Sequence, residues 1–244
     1  MKYLLLISVL PSIILLLFIY ANDKIEKESK RLILKLFLFG LIMAPIIGEF
    51  ENFFGKFLFP FKNETIRNFV DTFFIIAFLE EGGKFWIIKE DTWKNKEFNY
   101  TFDGLVYAVS ASLGFATIEN IFYVFSSFLV EETTAFDSYY IAAFTGILRM
   151  IFSIPLHFSC AVLMGFFYGK AKLFHEYNIF QKSKFYNFLA VFLSVIGHGL
   201  YDFGLFSVKY SCLSVLTAII LDLLAVFLII LSRKKNYPIP NSYI

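Results

Sequence analysis

The residues best suited to chemistry in this chain lie inside stretches that are otherwise apolar. Glu80, Glu81 and Lys84 interrupt an apolar run that extends from Phe69 to Ile88. Each charge placed at the centre of a membrane-spanning helix costs roughly 2.5–3.5 kcal/mol, even on lenient insertion scales. Groups that cost this much are retained where they face a polar interior. Their presence therefore indicates a working site.

Three further apolar stretches carry groups that can transfer protons or bind a metal. Glu119 and Asn120 lie in the first, His157 in the second, and His198 with Asp202 in the third. Counting about 1.5 Å per helical residue, the four groups of polar residues lie roughly 12–25 Å from the ends of their stretches that are predicted to face the cytoplasm. We therefore expect one buried site assembled from four helices, with Asn120 joining helices through hydrogen bonds.

Helical spacing places Lys84 within reach of two carboxylates. Glu80 lies four residues before it and Glu81 three, and both spacings bring side chains together on a helix surface. Two carboxylates this close in a low dielectric do not both stay ionised cheaply. We therefore expect one of them to hold a proton near neutral pH and to act as a general acid or base. The alternative is a structural salt bridge, which the second, adjacent glutamate disfavours.

The two histidines have different local surroundings. His198 and Asp202 are four residues apart, so the carboxylate can accept a hydrogen bond from the imidazole and fix its tautomer. Arg149 lies eight residues before His157, on roughly the same helix face. Glu119 has no cation nearby in sequence, so it needs a partner on another helix.

The composition excludes an ordinary soluble domain. The chain is 58% hydrophobic and 17% charged, with 34 Phe among 244 residues, and a helix needs roughly 20 apolar residues to cross a bilayer. A net charge of +2 gives no basic face for a nucleic acid. We predict an all-α polytopic membrane helix bundle, one domain over residues 1–244. Its seven transmembrane helices are expected at Tyr3–Tyr20, Leu32–Gly48, Ile66–Ile88, Phe102–Leu129, Ile141–Gly169, Phe185–Ser207 and Leu213–Leu231.

The basic residues of the connections predict the orientation. With the N-terminus outside, 14 Lys and Arg lie in cytoplasmic connections and ends, against 5 in the outer ones. Cytoplasmic connections of membrane proteins carry this excess. The connection around Glu131, Glu132 and Asp137 has no basic residue, which suits the outside. The predicted topology is N-out, C-in.

Four motifs occur in a fixed order along the chain. They are Glu-Glu-x-x-Lys at residues 80–84, Phe-x-x-x-Glu-Asn at 115–120, an Arg-to-His element at 149–157, and His-Gly-Leu-Tyr-Asp at 198–202. With these motifs the chain resembles the PrsW family of bacterial intramembrane proteases over about residues 15–205. That family is related to the CAAX-processing and bacteriocin-processing proteases.

The resemblance implies an endopeptidase that cleaves a membrane-anchored protein, such as a single-pass anti-sigma factor, in a bacterial plasma membrane. It marks Glu80, Glu81, Glu119, His157 and His198 as catalytic residues. Supporting roles would fall to Lys84, Asn120, Arg149 and Asp202. The family is often labelled a metalloprotease, so zinc is an expected cofactor, and membrane lipids and the substrate are the expected partners.

The catalytic type stays open at this point. In a metal-independent reaction Glu80 or Glu81 is the general base, while the histidines polarise water or stabilise the oxyanion. In a zinc-dependent reaction, His157 and His198 with one carboxylate, Glu119 or Asp202, supply three ligands and leave a position for water. Two rival functions remain. A proton- or ion-coupled transporter would show inverted repeats, which are absent from the sequence. A non-catalytic scaffold would not explain why four apolar stretches contain polar residues that are unfavourable in a membrane.

Overall fold

The computed structural model describes residues 1–58, 60–129 and 135–240, and these residues are almost entirely helical. Glu131 and Glu132 of the predicted outer connection lie outside the described residues. The α-helices are α1 (Lys2–Asn22), α2 (Lys30–Gly55), α3 (Glu64–Val70), α4 (Ala77–Thr92), α5 (Asp103–Phe128), α6 (Ala135–Leu148), α7 (Ile154–Glu176), α8 (Phe180–Phe206) and α9 (Ser211–Lys234).

Two π-helical turns join pairs of these helices into longer rods. One spans Asp71–Ile76 between α3 and α4, and the other spans Arg149–Ser153 between α6 and α7. The second turn ends just before Pro155, which lacks a backbone N–H and crowds the carbonyl one turn earlier, so regular α-helical bonding is interrupted there. The described residues thus form seven helical rods, and the predicted all-α bundle is confirmed.

Six helical segments of the described chain are long and apolar enough to cross a membrane, judged by length and composition. The predicted span Ile66–Ile88 is helical from Glu64 to Thr92 but is not among the six. Every 18-residue window of that rod contains both Glu80 and Glu81 together with further charged residues. Its polar residues therefore make this rod the least apolar of the seven.

Helix α5 lies at the centre of the bundle. It packs against α1, α2, α4, α6 and α7, and 78% of its most apolar 18-residue window is buried. Glycines allow the closest of these approaches. A Cβ on Gly114 would lie 2.0 Å from the Phe37 carbonyl oxygen on α2, and one on Gly165 would lie 2.4 Å from the Gly104 carbonyl oxygen. Small residues thus let neighbouring backbones meet around α5, as in other membrane helix pairs.

The outer surface of the bundle is apolar. On α9, for example, Ile220, Leu223 and Phe227 are all more than half exposed. Contiguous exposed apolar surface of this kind suits contact with lipid. The costly polar groups face inward, towards α5.

Candidate active site

Lys84 lies at the centre of a buried polar cluster. Its ammonium Nζ is 2.9 Å from Glu80 Oε2, 2.8 Å from Glu81 Oε1 and 3.0 Å from His157 Nδ1. The Lys84 residue is only 1% exposed. The first two contacts are the expected three- and four-residue pairs on one turn of α4, and the third joins α4 to α7. Lys84 also lies 4.4 Å above the ring of Phe115 on α5, a cation–π contact.

His157 is held between α4 and α5. Its Nε2 lies 2.8 Å from Glu119 Oε2, on the opposite side of the ring from Lys84. Glu119 in turn pairs with Arg149, whose Nη2 is 2.9 Å from Glu119 Oε1. Arg149 is therefore the cation on another helix that the sequence required for Glu119. A hydrogen bond from the Ser112 hydroxyl to the His157 carbonyl oxygen, 3.0 Å long, fixes the backbone there.

His198 has a parallel arrangement on α8. Its Nδ1 lies 2.9 Å from Glu81 Oε1, and its Nε2 lies 3.3 Å from Asp202 Oδ2. The two imidazole rings are edge to face, with centroids 5.1 Å apart. Each histidine thus turns Nδ1 towards the α4 cluster and Nε2 towards a carboxylate of its own, Glu119 for His157 and Asp202 for His198.

Asn120 links the site to the first helix. Its Nδ2 donates to the Ser8 carbonyl oxygen of α1 at 3.1 Å, and its Oδ1 accepts from Arg149 Nε at 2.9 Å. The prediction that Asn120 joins helices is confirmed. The prediction that the four polar groups converge is confirmed as well. Glu119 of α5 contacts His157 of α7, His157 contacts Lys84 of α4, and Glu81 of α4 contacts His198 of α8.

A cavity of about 660 Å³ opens onto this cluster. The ionisable side chains that line it come from five helical rods and include Glu51, Glu80, Glu119, His157, His198 and Asp202. Glu81 and Lys84 do not line the cavity and are almost completely enclosed. The two adjacent glutamates therefore differ in access, since Glu80 can meet water or substrate and Glu81 is enclosed between Lys84 and His198.

Sequence reasoning missed Glu51 on α2. It lines the cavity, and its Oε1 is buried without a hydrogen-bond partner among the residues that the structure describes. The signal was weak because Glu51 and its neighbour Glu49 lie near the end of an apolar stretch, where charged residues are common. Asp222, which has no ionisable residue one helical turn away in the sequence, accepts a hydrogen bond from the Ser159 hydroxyl at 2.7 Å. That contact lies on α7 and α9, beside the site.

The cluster has the composition of a transition-metal site. Glu80, Glu81, His157 and His198 each offer one ligand atom, and these atoms all lie within 4.8 Å of one another. Imidazole and carboxylate are common zinc ligands, and Glu81 Oε2 is buried with no hydrogen-bond partner in the described part of the chain. The residues present therefore fit a metal ion. The group differs from the expected ligand set, because Glu119 and Asp202 lie against the outer ring nitrogens, where supporting carboxylates of metal-bound histidines are usually found.

Comparison with known proteins agrees with this geometry. A family described as PrsW family intramembrane metalloprotease matches residues 28–231. Protease PrsW of Clostridioides difficile (strain 630) is 34% identical over 199 residues, which cover 81% of this chain and 77% of that protein. Protease PrsW of Geobacillus kaustophilus (strain HTA426) is 29% identical over 195 residues, or 80% and 76% of the two chains. Protease PrsW of Bacillus subtilis (strain 168) is 29% identical over 196 residues, or 80% and 79%.

No solved structure matches the chain. The family match extends from the connection before α2 into α9 and includes all four motifs. Together with the buried Glu and His cluster, it shows that this chain belongs to the PrsW family of intramembrane metalloproteases and is a membrane-embedded protease.

Proposed function

We propose that the protein cleaves a single-pass membrane protein at a peptide bond that enters the cavity beside Glu80. The observation that carries this proposal is the cavity itself, which places a carboxylate and two imidazoles on one accessible surface inside the bundle. A membrane-embedded protease needs such a water-accessible pocket, because hydrolysis consumes a water molecule. An anti-sigma-factor-like substrate follows from the family resemblance.

Glu80 is our candidate for the general base. It lines the cavity, whereas Glu81 is enclosed. A base must come within hydrogen-bond reach of the proton that it abstracts, so the member of the pair that lines the cavity is the better placed. Lys84, 2.9 Å from Glu80, keeps the carboxylate charge compensated. Glu80 would take a proton from the attacking water and later deliver it to the leaving amine.

In a metal-independent reaction, His157 and His198 are proposed to stabilise the negative charge that develops on the scissile carbonyl oxygen; in a zinc-dependent reaction they would hold the metal ion that does so. Both line the cavity, and each has a carboxylate at Nε2 that fixes ring orientation. Preorganised donors aimed at a developing oxyanion are among the largest contributions to catalysis. Arg149 holds Glu119 in place, so Glu119, Arg149 and Asp202 act as positioning residues.

Zinc is the metal that we propose for this site. Two imidazoles and a carboxylate match the ligands of many hydrolytic zinc centres, which keep one position for water. His157, His198 and one of Glu80 and Glu81 would hold the ion. When bound, it would lower the pKa of a water molecule and polarise the carbonyl. Lys84 contacts Glu80, Glu81 and His157, so its ammonium places a second positive charge beside the atoms that would bind the ion.

We further propose that the protein lies in a bacterial plasma membrane with its N-terminus outside. The distribution of Lys and Arg along the connections supports this orientation, because cytoplasmic connections carry the basic excess. The curated relatives come from bacteria, which supports the location.

The test is proteolysis by the purified protein in detergent or liposomes. Single-pass membrane proteins are incubated with wild type and with Glu80→Gln, with and without a chelator, and the metal content is measured. The proposal is supported if Glu80→Gln does not cleave the substrate, and if zinc restores cleavage by the wild-type protein after chelation. Chelator-resistant cleavage would refute the zinc assignment, and full activity of Glu80→Gln would refute its role as the base.

A further inference from the structure

A second group of buried carboxylates lies at the other end of the bundle from the active site. Asp23 follows α1, Glu28 precedes α2, and Asp103 begins α5. One oxygen from each lies within 4.8 Å of the other two. Asp103 and the active-site Glu119 are both on α5, sixteen residues or about 24 Å apart. The two clusters are therefore separate sites.

All three carboxylates are buried, and one oxygen of Asp23 is unpartnered within the described residues. Asp23, Glu28 and Asp103 are 1%, 4% and 1% exposed. Asp23 Oδ2 is buried and has no hydrogen-bond partner in the described residues, although its carboxylate is directed into the group. A buried anionic oxygen without a partner carries a large desolvation cost. It therefore marks a position at which a positively charged ligand would be stabilised.

No side-chain cation neutralises this group within the described part of the chain. None of the three carboxylates forms an ion pair there. Lys27, the lysine between Asp23 and Glu28, donates instead to the backbone carbonyl oxygens of Tyr20 and Asp23. The remaining partners are neutral donors. The Tyr107 hydroxyl donates to Glu28, and the Asn99 and Tyr100 amides donate to Asp103 Oδ2 at 3.0 and 2.7 Å.

The titration of the two carboxylates outside the helices agrees with a need for positive charge. Burial raises the pKa of Asp23 to about 6, against the opposing effect of Lys27. Burial also raises the pKa of Glu28 to about 7, against the hydrogen bond from Tyr107. The negative charge of Glu26 adds to this effect on Asp23, and the negative charges of Asp23 and Glu97 add to it on Glu28. Burial and like charge therefore both disfavour three bare carboxylates at this position.

We propose that Asp23, Glu28 and Asp103 bind a hard divalent cation, Mg²⁺ or Ca²⁺, with the Tyr107 hydroxyl beside it. Oxygen-only donors with this charge favour hard cations over zinc. The site would be structural. By joining the connection between α1 and α2 to the start of α5, the cation would fix the central helix relative to the first two.

The test uses the whole protein in detergent with the active-site substitution His198→Ala, which weakens metal binding at the other cluster. Equilibrium dialysis with Ca²⁺ is expected to give about one bound ion per chain. At a hundredfold excess over Kd, Ca²⁺ or Mg²⁺ is expected to raise the melting temperature by roughly 5–10 °C. Glu28→Gln and Asp103→Asn keep the oxygen acceptors for Tyr107 and for the backbone amides, and each should reduce Ca²⁺ affinity at least tenfold.

Two results would overturn the proposal. One is the absence of Ca²⁺ and Mg²⁺ binding to the His198→Ala protein, which would leave protons as the ligands of the carboxylates. The other is undiminished binding in both Glu28→Gln and Asp103→Asn, which would place the ion elsewhere. Either result leaves the protease assignment intact, because proteolysis is measured separately.

Discussion

Replacing Glu80 by glutamine separates chemistry from stability in this site. The amide oxygen of Gln can still accept from Lys84, which lies 2.9 Å from Glu80 in the wild type. The substitution removes the acceptor's negative charge and leaves the ammonium donor in place, a loss of about 1 kcal/mol in the free energy of unfolding. Removal of a general base costs roughly 10²–10⁴ in rate, or about 3–5 kcal/mol in activation free energy. Activity should thus fall far more than stability.

Glu81→Gln is the matched control on the neighbouring residue. Glu81 is completely buried and contacts both Lys84, at 2.8 Å, and His198, at 2.9 Å. Its substitution weakens two charge-assisted contacts, for a loss of about 2–3 kcal/mol in the free energy of unfolding. We expect both variants to lose activity, with the larger drop in melting temperature in Glu81→Gln.

The assay is cleavage of a single-pass substrate in liposomes, paired with a melting curve for each variant. Glu80→Gln should keep its melting temperature within about 4 °C of wild type, given roughly 2–4 °C per kcal/mol for a chain of this size. Retention of more than a tenth of wild-type activity by Glu80→Gln would refute its role as the base. A melting temperature that falls further in Glu80→Gln than in Glu81→Gln would contradict the difference in enclosure.

Three other results are expected. Arg149→Met leaves Glu119 without the arginine that pairs with it and should lower the melting temperature by roughly 5–10 °C. Arg149→Lys should recover part of that loss. An unchanged melting curve for Arg149→Met would show that the Arg149–Glu119 pair does not stabilise the protein. A reporter fused after Lys235 should report the cytoplasm and one inserted after Lys62 the outside, and the reverse pattern would invert the topology. Without divalent cations, stability should fall as pH rises from about 4.5 to 7. Because burial raises the pKa of Glu28 to about 7, the folded state holds more protons than the unfolded state in that interval. A rise in the free energy of unfolding over that pH interval would contradict the raised pKa of Glu28 in the folded state.

The sequence predicted the helical rods and the convergence of the polar groups well, for a clear physical reason. Apolar stretches of about 20 residues and charges inside them are both visible without knowing the packing. Local spacing also identified the contacts of Lys84 with Glu80 and Glu81, since these lie on one helical turn. The pairing of His198 with Asp202 follows from the same rule.

What the sequence could not predict depends on how the helices are rotated against one another. It did not show that Lys84 contacts His157, because that contact joins α4 to α7. Nor did it indicate that Glu51 faces the cavity, or that Glu80 and not Glu81 lines it. The π-helical turn at Arg149–Ser153 alters the rotation of Arg149 relative to His157, so counting residues on an ideal helix gives only an approximate face.

The most direct test of a single catalytic site is a double-mutant comparison of Glu80 and His157. Cleavage rates are measured for Glu80→Gln, His157→Asn and the double variant in the same liposomes. Residues that act as one catalytic unit have strongly non-additive effects. We therefore predict that the double variant stays within about tenfold of the slower single variant. A rate equal to the product of the two separate losses would show that the residues act independently, and would contradict the assignment of both to one site.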